Sequence, residues 1–140
     1  MTAAAEPAPT SAVPAIGRIL ALSGARRFAA VRAWRAVRHV GSVRVAVAPN
    51  PVGAIRVGFA ISGVRTAVLR NQLRRRLRVA IRQPEAWQTV AGNDQAAGID
   101  VVISAGIAAT AIPYRRLAAD VATALAAALD VAAARPVITS

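Results

Sequence analysis

The chain has 140 residues, enough for one domain with a modest core and too few for two. Its net charge of +12 is carried by eighteen arginines with no lysine, which points to a polyanionic partner, and to nucleic acid ahead of membrane because no strongly amphipathic helix with a Trp/Phe face accompanies the charge. Zero cysteines exclude disulfides, thiolate metal sites and a cysteine nucleophile, and the single histidine, His39, leaves no histidine pair or metal cluster.

Residues 1–15 are rich in Ala and Pro, carry Glu6 and lack a basic segment ahead of an apolar core. They are expected to form a disordered arm, not a signal peptide. Order is expected from Ile16, giving one domain over 16–131 and a flexible tail over 132–140. A helix is predicted over 23–37 with Ser23 as its cap. Phe28, Val31 and Trp34 recur at i+3 on it, but Arg26, Arg27, Arg32, Arg35 and Arg38 surround them, so the buried stripe is narrow. Val43, Val45 and Val47 alternate with Arg44, Ala46 and Ala48, as in a half-buried strand. After the turn at 49–53, Val57, Phe59 and Ile61 alternate with Arg56, Gly58, Ala60 and Ser62. The two runs suggest an antiparallel hairpin with its large residues on one face. The other face carries small residues and two arginines, and suits either a shallow groove for RNA or a helix packed above it.

A second helix is predicted over 66–82, capped by Thr66 or Ser62 and ended before Pro84. Leu69, Leu73, Leu77, Ala80 and Ile81 form its apolar stripe, while Asn71, Arg74, Arg75, Arg78 and Arg82 crowd the opposite arc. Arginines four residues apart, as in the pairs Arg70/Arg74, Arg74/Arg78 and Arg78/Arg82, repel by a few tenths of a kcal/mol each unless a polyanion neutralises them. No acidic residue lies between Arg65 and Gln83 to do so. Residues 84–98 read as an irregular connection with loop chemistry at Gly92-Asn93-Asp94, and Trp87 as a lid on the core. The Val/Ile-rich run over 99–103, interrupted only by Asp100, predicts a buried strand. Pro113 then opens a last helix whose Tyr114, Leu117, Val121, Leu125, Ala128 and Leu129 form a core stripe. The longest apolar stretch, 117–134, is interrupted by Asp120 and Asp130 and falls short of a membrane span, so a soluble, cytoplasmic protein is expected. The sum is an α+β domain: a small mixed or antiparallel sheet with an N-terminal helix, a central arginine-rich helix and a C-terminal helix.

The order Arg70-Asn71-Gln72-Leu73-Arg74-Arg75-Arg76-Leu77-Arg78, preceded by Ala67-Val68-Leu69, resembles the signature helix of the bacterial ribonuclease P protein subunit. The run from Arg56 to Ser62 is similar to that family's strand leading into the helix, and Asp100-Val101-Val102-Ile103 to its last strand, so the resemblance covers roughly 20–129. It implies that the central helix lies in a β-α-β crossover, left-handed in the family against the general rule. It implies that Arg70, Asn71, Arg74, Arg75 and Arg78 face the catalytic RNA, a face that Arg82 extends by helical geometry. It further implies a cleft for the single-stranded 5′ leader of precursor tRNA, with Phe28, Arg32, Arg44 and Arg56 as its candidates. The chain has Arg32 where members often have a second aromatic residue and Ala46 where they often have Tyr. Leader recognition is therefore expected to lean on arginine.

The residues themselves argue against protein-borne catalysis. Six acidic residues spread along the chain do not make a metal-holding set, and one histidine without lysine offers no acid/base pair. No catalytic residue and no protein-bound metal are predicted. The resemblance agrees, since it implies that the RNA subunit hydrolyses the phosphodiester with Mg²⁺ while the protein, an accessory subunit of the endoribonuclease, assists without an obligatory protein partner. Two other readings compete: a structural RNA-binding protein such as a ribosomal protein of related fold, and a DNA-binding regulator. The second is disfavoured because the arginine helix lacks the mixed polar residues that read base edges.

Overall fold

One strand with a neighbour on each side sets the architecture of the computed structural model, which describes residues 19–83, 86–87 and 98–134. The elements run β1 (Leu20–Ala21), α1 (Ala25–Trp34), β2 (Ala36–Val40), β3 (Val43–Pro49), β4 (Ile55–Ile61), α2 (Ala67–Ile81), β5 (Ile99–Ala105), a 3₁₀ turn (Ile107–Ala111) and α3 (Tyr114–Ala134). The sheet order is β1-β4-β5-β3-β2, with β5 parallel to β4 and antiparallel to β3. The α+β class therefore holds, and the sheet is mixed. The predicted N-terminal arm, the loop at 92–94 and the end of the tail lie outside the described residues; α3 runs to Ala134, into the stretch assigned to the tail.

The predicted hairpin between the strands at 43–48 and 56–62 does not form, because β5 lies between them. β5 is buried along nearly its whole length, and a strand that apolar on both faces gains most at the centre of a sheet. The hairpin that does form joins β2 to β3 through Gly41-Ser42, with Val40 opposite Val43 and Gly41 at φ 58°. A two-residue Gly-Ser loop between apolar runs is itself a hairpin signal. The helical reading of 35–37 hid it. Arg35, in the left-handed region at φ 67°, ends α1 at Trp34, and the helix starts after Gly24 with no cap from Ser23.

Two apolar layers sandwich the sheet. On one face Val43, Val45, Val47, Val57, Val101 and Ile103 meet Leu73, Leu77 and Ile81 of α2 and Leu117, Val121 and Leu125 of α3. Each such side chain contributes roughly 1.5–3 kcal/mol by leaving water. By length and composition α3 could cross a membrane, but here its apolar stripe is spent on this core. Trp87 is fully buried, as its reading as a lid requires, and its indole Nε1 donates to the Ile81 carbonyl at 2.6 Å, satisfying an end of α2.

On the opposite face α1 sits over the small residues. Leu22, Val31, Ala46, Ala48 and Val102 form a second cluster against Phe28 and Trp34, so the packing reading of that face holds where α1 covers it. Gly58 makes the approach: a Cβ there would lie 2.5 Å from Phe28 Cζ and 2.7 Å from the Leu22 carbonyl oxygen. Gly58→Ala is expected to cost about 1–3 kcal/mol by overpacking, read as a shift in urea midpoint. Phe28→Leu added to it should recover part of that loss, whereas strict additivity of the two changes would show that the ring and the glycine do not share the site.

Candidate nucleic-acid interface

The interface is built on α2. Thr66 caps it, its Oγ1 accepting from the Leu69 N–H at 3.2 Å, and the helix runs from Ala67 to Ile81 with Arg82 at its C-cap, close to the predicted bounds. Leu73, Leu77, Ala80 and Ile81 are buried. Leu69, assigned to the same stripe, lies at its margin, 38% exposed. Opposite them Asn71, Arg75, Arg78 and Arg82 are exposed and Arg74 is half-buried, with its Nη1 3.4 Å from Asn71 Oδ1. Among the described residues no carboxylate or carbonyl engages Arg75, Arg78 or Arg82. The repulsion along this face is therefore left uncompensated within the described fold.

Two arginines of the motif are turned to the protein's own backbone. Arg70 is half-buried, and its Nη1 donates to the carbonyls of Val64 and Arg65 at 3.0 and 2.9 Å, bracing the loop that enters α2. Arg76 donates to the Ile112 carbonyl and so ties α2 to the start of α3. The sequence reading passed over Arg76; its place near the apolar stripe, away from Asn71 and Arg75, was the available signal.

The remaining candidates sit on three elements, α1, β3 and β4. Arg32 is exposed on α1. Arg44 is exposed on β3, in register with His39 on one side and Ser104 on the other, at the end of the sheet face beyond the second cluster. Phe28 is half-buried, packed over Gly58, and reaches a hollow that Arg74, Arg78 and Arg82 also line. Arg56 stands apart. In register with Asp100 on the neighbouring parallel strand, it makes a two-point ion pair, Nε to Oδ1 at 2.7 Å and Nη2 to Oδ2 at 2.9 Å, with the side chains only 13% and 10% exposed. Asn50 Nδ2 donates to the same Oδ1 at 2.7 Å and to the Ala54 carbonyl, while its own Oδ1 accepts from the Val52 and Gly53 N–H groups. Asp100 on β5 is thus fastened both to Arg56 of β4 and to Asn50 at the turn between β3 and β4. The hydrogen bonds that Arg56 donates to Asp100 hold its guanidinium above the usual arginine value; burial pulls the other way, and the carboxylate's charge adds to the rise.

Fold and site define a small basic α+β protein that offers one helix face, unneutralised by the described fold, to a polyanion. The family model for ribonuclease P matches residues 18–129. The chain belongs to the ribonuclease P family and is a protein subunit of that endoribonuclease, which implies an RNA partner in the holoenzyme. Its fold is similar to that of the Staphylococcus aureus RNase P protein, with TM-score 0.58 at 16% identity over 77% of this chain and 94% of that one. It is also similar to the RNase P protein from Thermotoga maritima, with TM-score 0.54 at 17% identity over 76% and 94%. A search of curated proteins by sequence gives no match.

Breaking the largely buried pair leaves Asp100 without its cationic partner, so Arg56→Ala is expected to lower stability by roughly 3 kcal/mol in urea unfolding. A raised arginine value means that Arg56 contributes its full stability below the ordinary arginine range and loses it only above. The difference between Arg56→Ala and the parent should accordingly be equal at pH 6 and pH 9. A stability unchanged by the substitution would instead release Arg56 for contact with a ligand.

Proposed function

We propose that this subunit binds the catalytic RNA of ribonuclease P through Asn71, Arg74, Arg75, Arg78 and Arg82, and assists endonucleolytic removal of the 5′ leader from precursor tRNA in the cytoplasm. The observation that carries the reading is the row of guanidinia at Arg75, Arg78 and Arg82, exposed on a helix whose other side is fixed in the core. Each can grip a phosphate with two parallel N–H donors or stack on a base. Arg70 serves the same site by bracing the loop into α2, with its remaining donors free to reach RNA. The leader lies along the end of the sheet face where Arg44 stands between His39 and Ser104, with Arg32 on α1 as a further cation. Arg56, engaged by Asp100, takes no part in this reading.

Hydrolysis falls to the RNA subunit and its Mg²⁺. Among the described residues no three of His, Cys, Asp and Glu come together to hold a metal ion, and two of the three described carboxylates already face arginines, Asp100 with Arg56 and Asp120 with Arg116. The protein's share is therefore electrostatic. It neutralises phosphates that would otherwise repel one another when precursor and catalytic RNA meet, a task that a high concentration of Mg²⁺ can take over.

Precursor cleavage by a bacterial ribonuclease P RNA at low Mg²⁺ should be stimulated by the wild-type protein. The Arg74→Ala/Arg75→Ala/Arg78→Ala variant should lose that stimulation, with affinity for the catalytic RNA down roughly 100-fold or more and a shallower dependence on salt. Absence of stimulation by folded wild type with its cognate RNA would overturn the proposal.

A further inference from the structure

One side of α3 is in the core and the other is open, with only 39% of its most apolar 18-residue stretch buried within the chain. The open side carries Arg115, Ala119, Ala122, Thr123, Ala126 and Asp130, which follow one another at helical spacing. Ala122 and Ala126 are half-buried and the other four are exposed. Between the two charges nothing larger than threonine stands on this row, so a second helix can come close to its backbone. Among the described residues neither Arg115 nor Asp130 has an ion-pair or hydrogen-bond partner.

The row is its own complement. Reversed and laid against itself, it sets Ala119 on Ala126, Ala122 on Thr123 and Arg115 on Asp130, because all three pairs share one midpoint, between 122 and 123. Laid parallel in register, it would set Arg115 on Arg115 and Asp130 on Asp130. We propose that α3 pairs antiparallel with α3 of a second copy, about a two-fold axis between Ala122 and Thr123, with an Arg115–Asp130 ion pair at each end. Such a contact is isologous, and the antiparallel helix dipoles favour it. Copies with a net charge of +12 repel, and a row whose two charges cancel is a place where they can still meet. RNA would gain one guanidinium there and meet a carboxylate, so a second copy suits the row better. None of these residues lies on α2, and the proposal does not depend on what α2 binds. Six residues a side fall short of the roughly 20–30 of a standard interface, so the dimer is weak, with Kd on the order of 100 µM.

The test is sedimentation equilibrium of the full chain without RNA, at low ionic strength, over about 5–500 µM. Wild type should pass from monomer to dimer across that range, and Ala119→Glu, at an exposed position, should stay monomeric. Arg115→Glu and Asp130→Arg should each weaken the dimer roughly tenfold, and the two together should restore it. Within one copy these residues stand about 22 Å apart along the helix, so restoration can come only from contact between copies. The chain has no cysteine, which lets single cysteines report the direction of pairing. Thr123→Cys, beside the axis, should form a disulfide-linked dimer under mild oxidation. Asp130→Cys should not, since its two copies lie about 22 Å apart in the antiparallel pair. Equal cross-linking of the two variants, or a double charge swap as weak as the single ones, would overturn the pairing. A wild type monomeric at every concentration would leave the row to RNA or to another protein's helix and would overturn it as well.

Discussion

Insertion of β5 between β3 and β4 is the constraint on which the rest of the molecule depends. Because β5 runs parallel to β4, the chain must cross from one end of the sheet to the other between them, and α2 is the crossing segment. The crossover lays α2 on the core face, where Leu73, Leu77 and Ile81 are taken up together with α3. Its other side is thereby committed to solvent, and with it the arginines. The same pairing brings Arg56 opposite Asp100, so that one parallel register both builds the platform and removes an arginine from the surface.

Charge in this protein is sorted by position more than by amount. Arg56 and Arg116 face carboxylates, Arg70 faces carbonyls of the loop entering α2, and Arg76 faces the Ile112 carbonyl before α3. Arg75, Arg78 and Arg82 are engaged by none of the described residues. A helix with like charges every fourth residue is poor on its own, and it persists because burial of its apolar stripe outweighs repulsions of a few tenths of a kcal/mol each. On the proposed reading, the face is already held in the form a polyanion needs, so less ordering has to accompany binding.

The small-residue face shows how one sequence feature can serve two ends. Ala46, Ala48 and Gly58 admit α1 and let Phe28 approach the backbone, while Arg44, further along the same strand as Ala46, remains exposed beside His39 and Ser104. Packing and exposure follow one another along a single strand, and the helix above decides where one gives way to the other.

Local chemistry was enough to determine α2, its apolar stripe and its cationic arc, because these depend on residues within a few turns of one another; between Thr66 and Ser62 as its cap, the structure selects Thr66. The burial of β5 was legible for a similar reason, since Val101, Val102 and Ile103 in succession put apolar side chains on both faces of a strand. The family was legible in the order of residues around Arg70-Asn71. Strand partnership was not: alternation tells which residues share a face but not which strand lies alongside, and β3 and β4 were paired with each other when β5 separates them. The two-residue strand β1 is too short to carry a periodic signal, and β2 was masked by a helical reading that only Arg35 in the left-handed region brings to an end. The role of Arg56 was decided last. A lone arginine on a predicted strand is equally suited to solvent, RNA or a carboxylate, and only the tertiary register, which sets Asp100 against it from 44 residues away, selects the carboxylate.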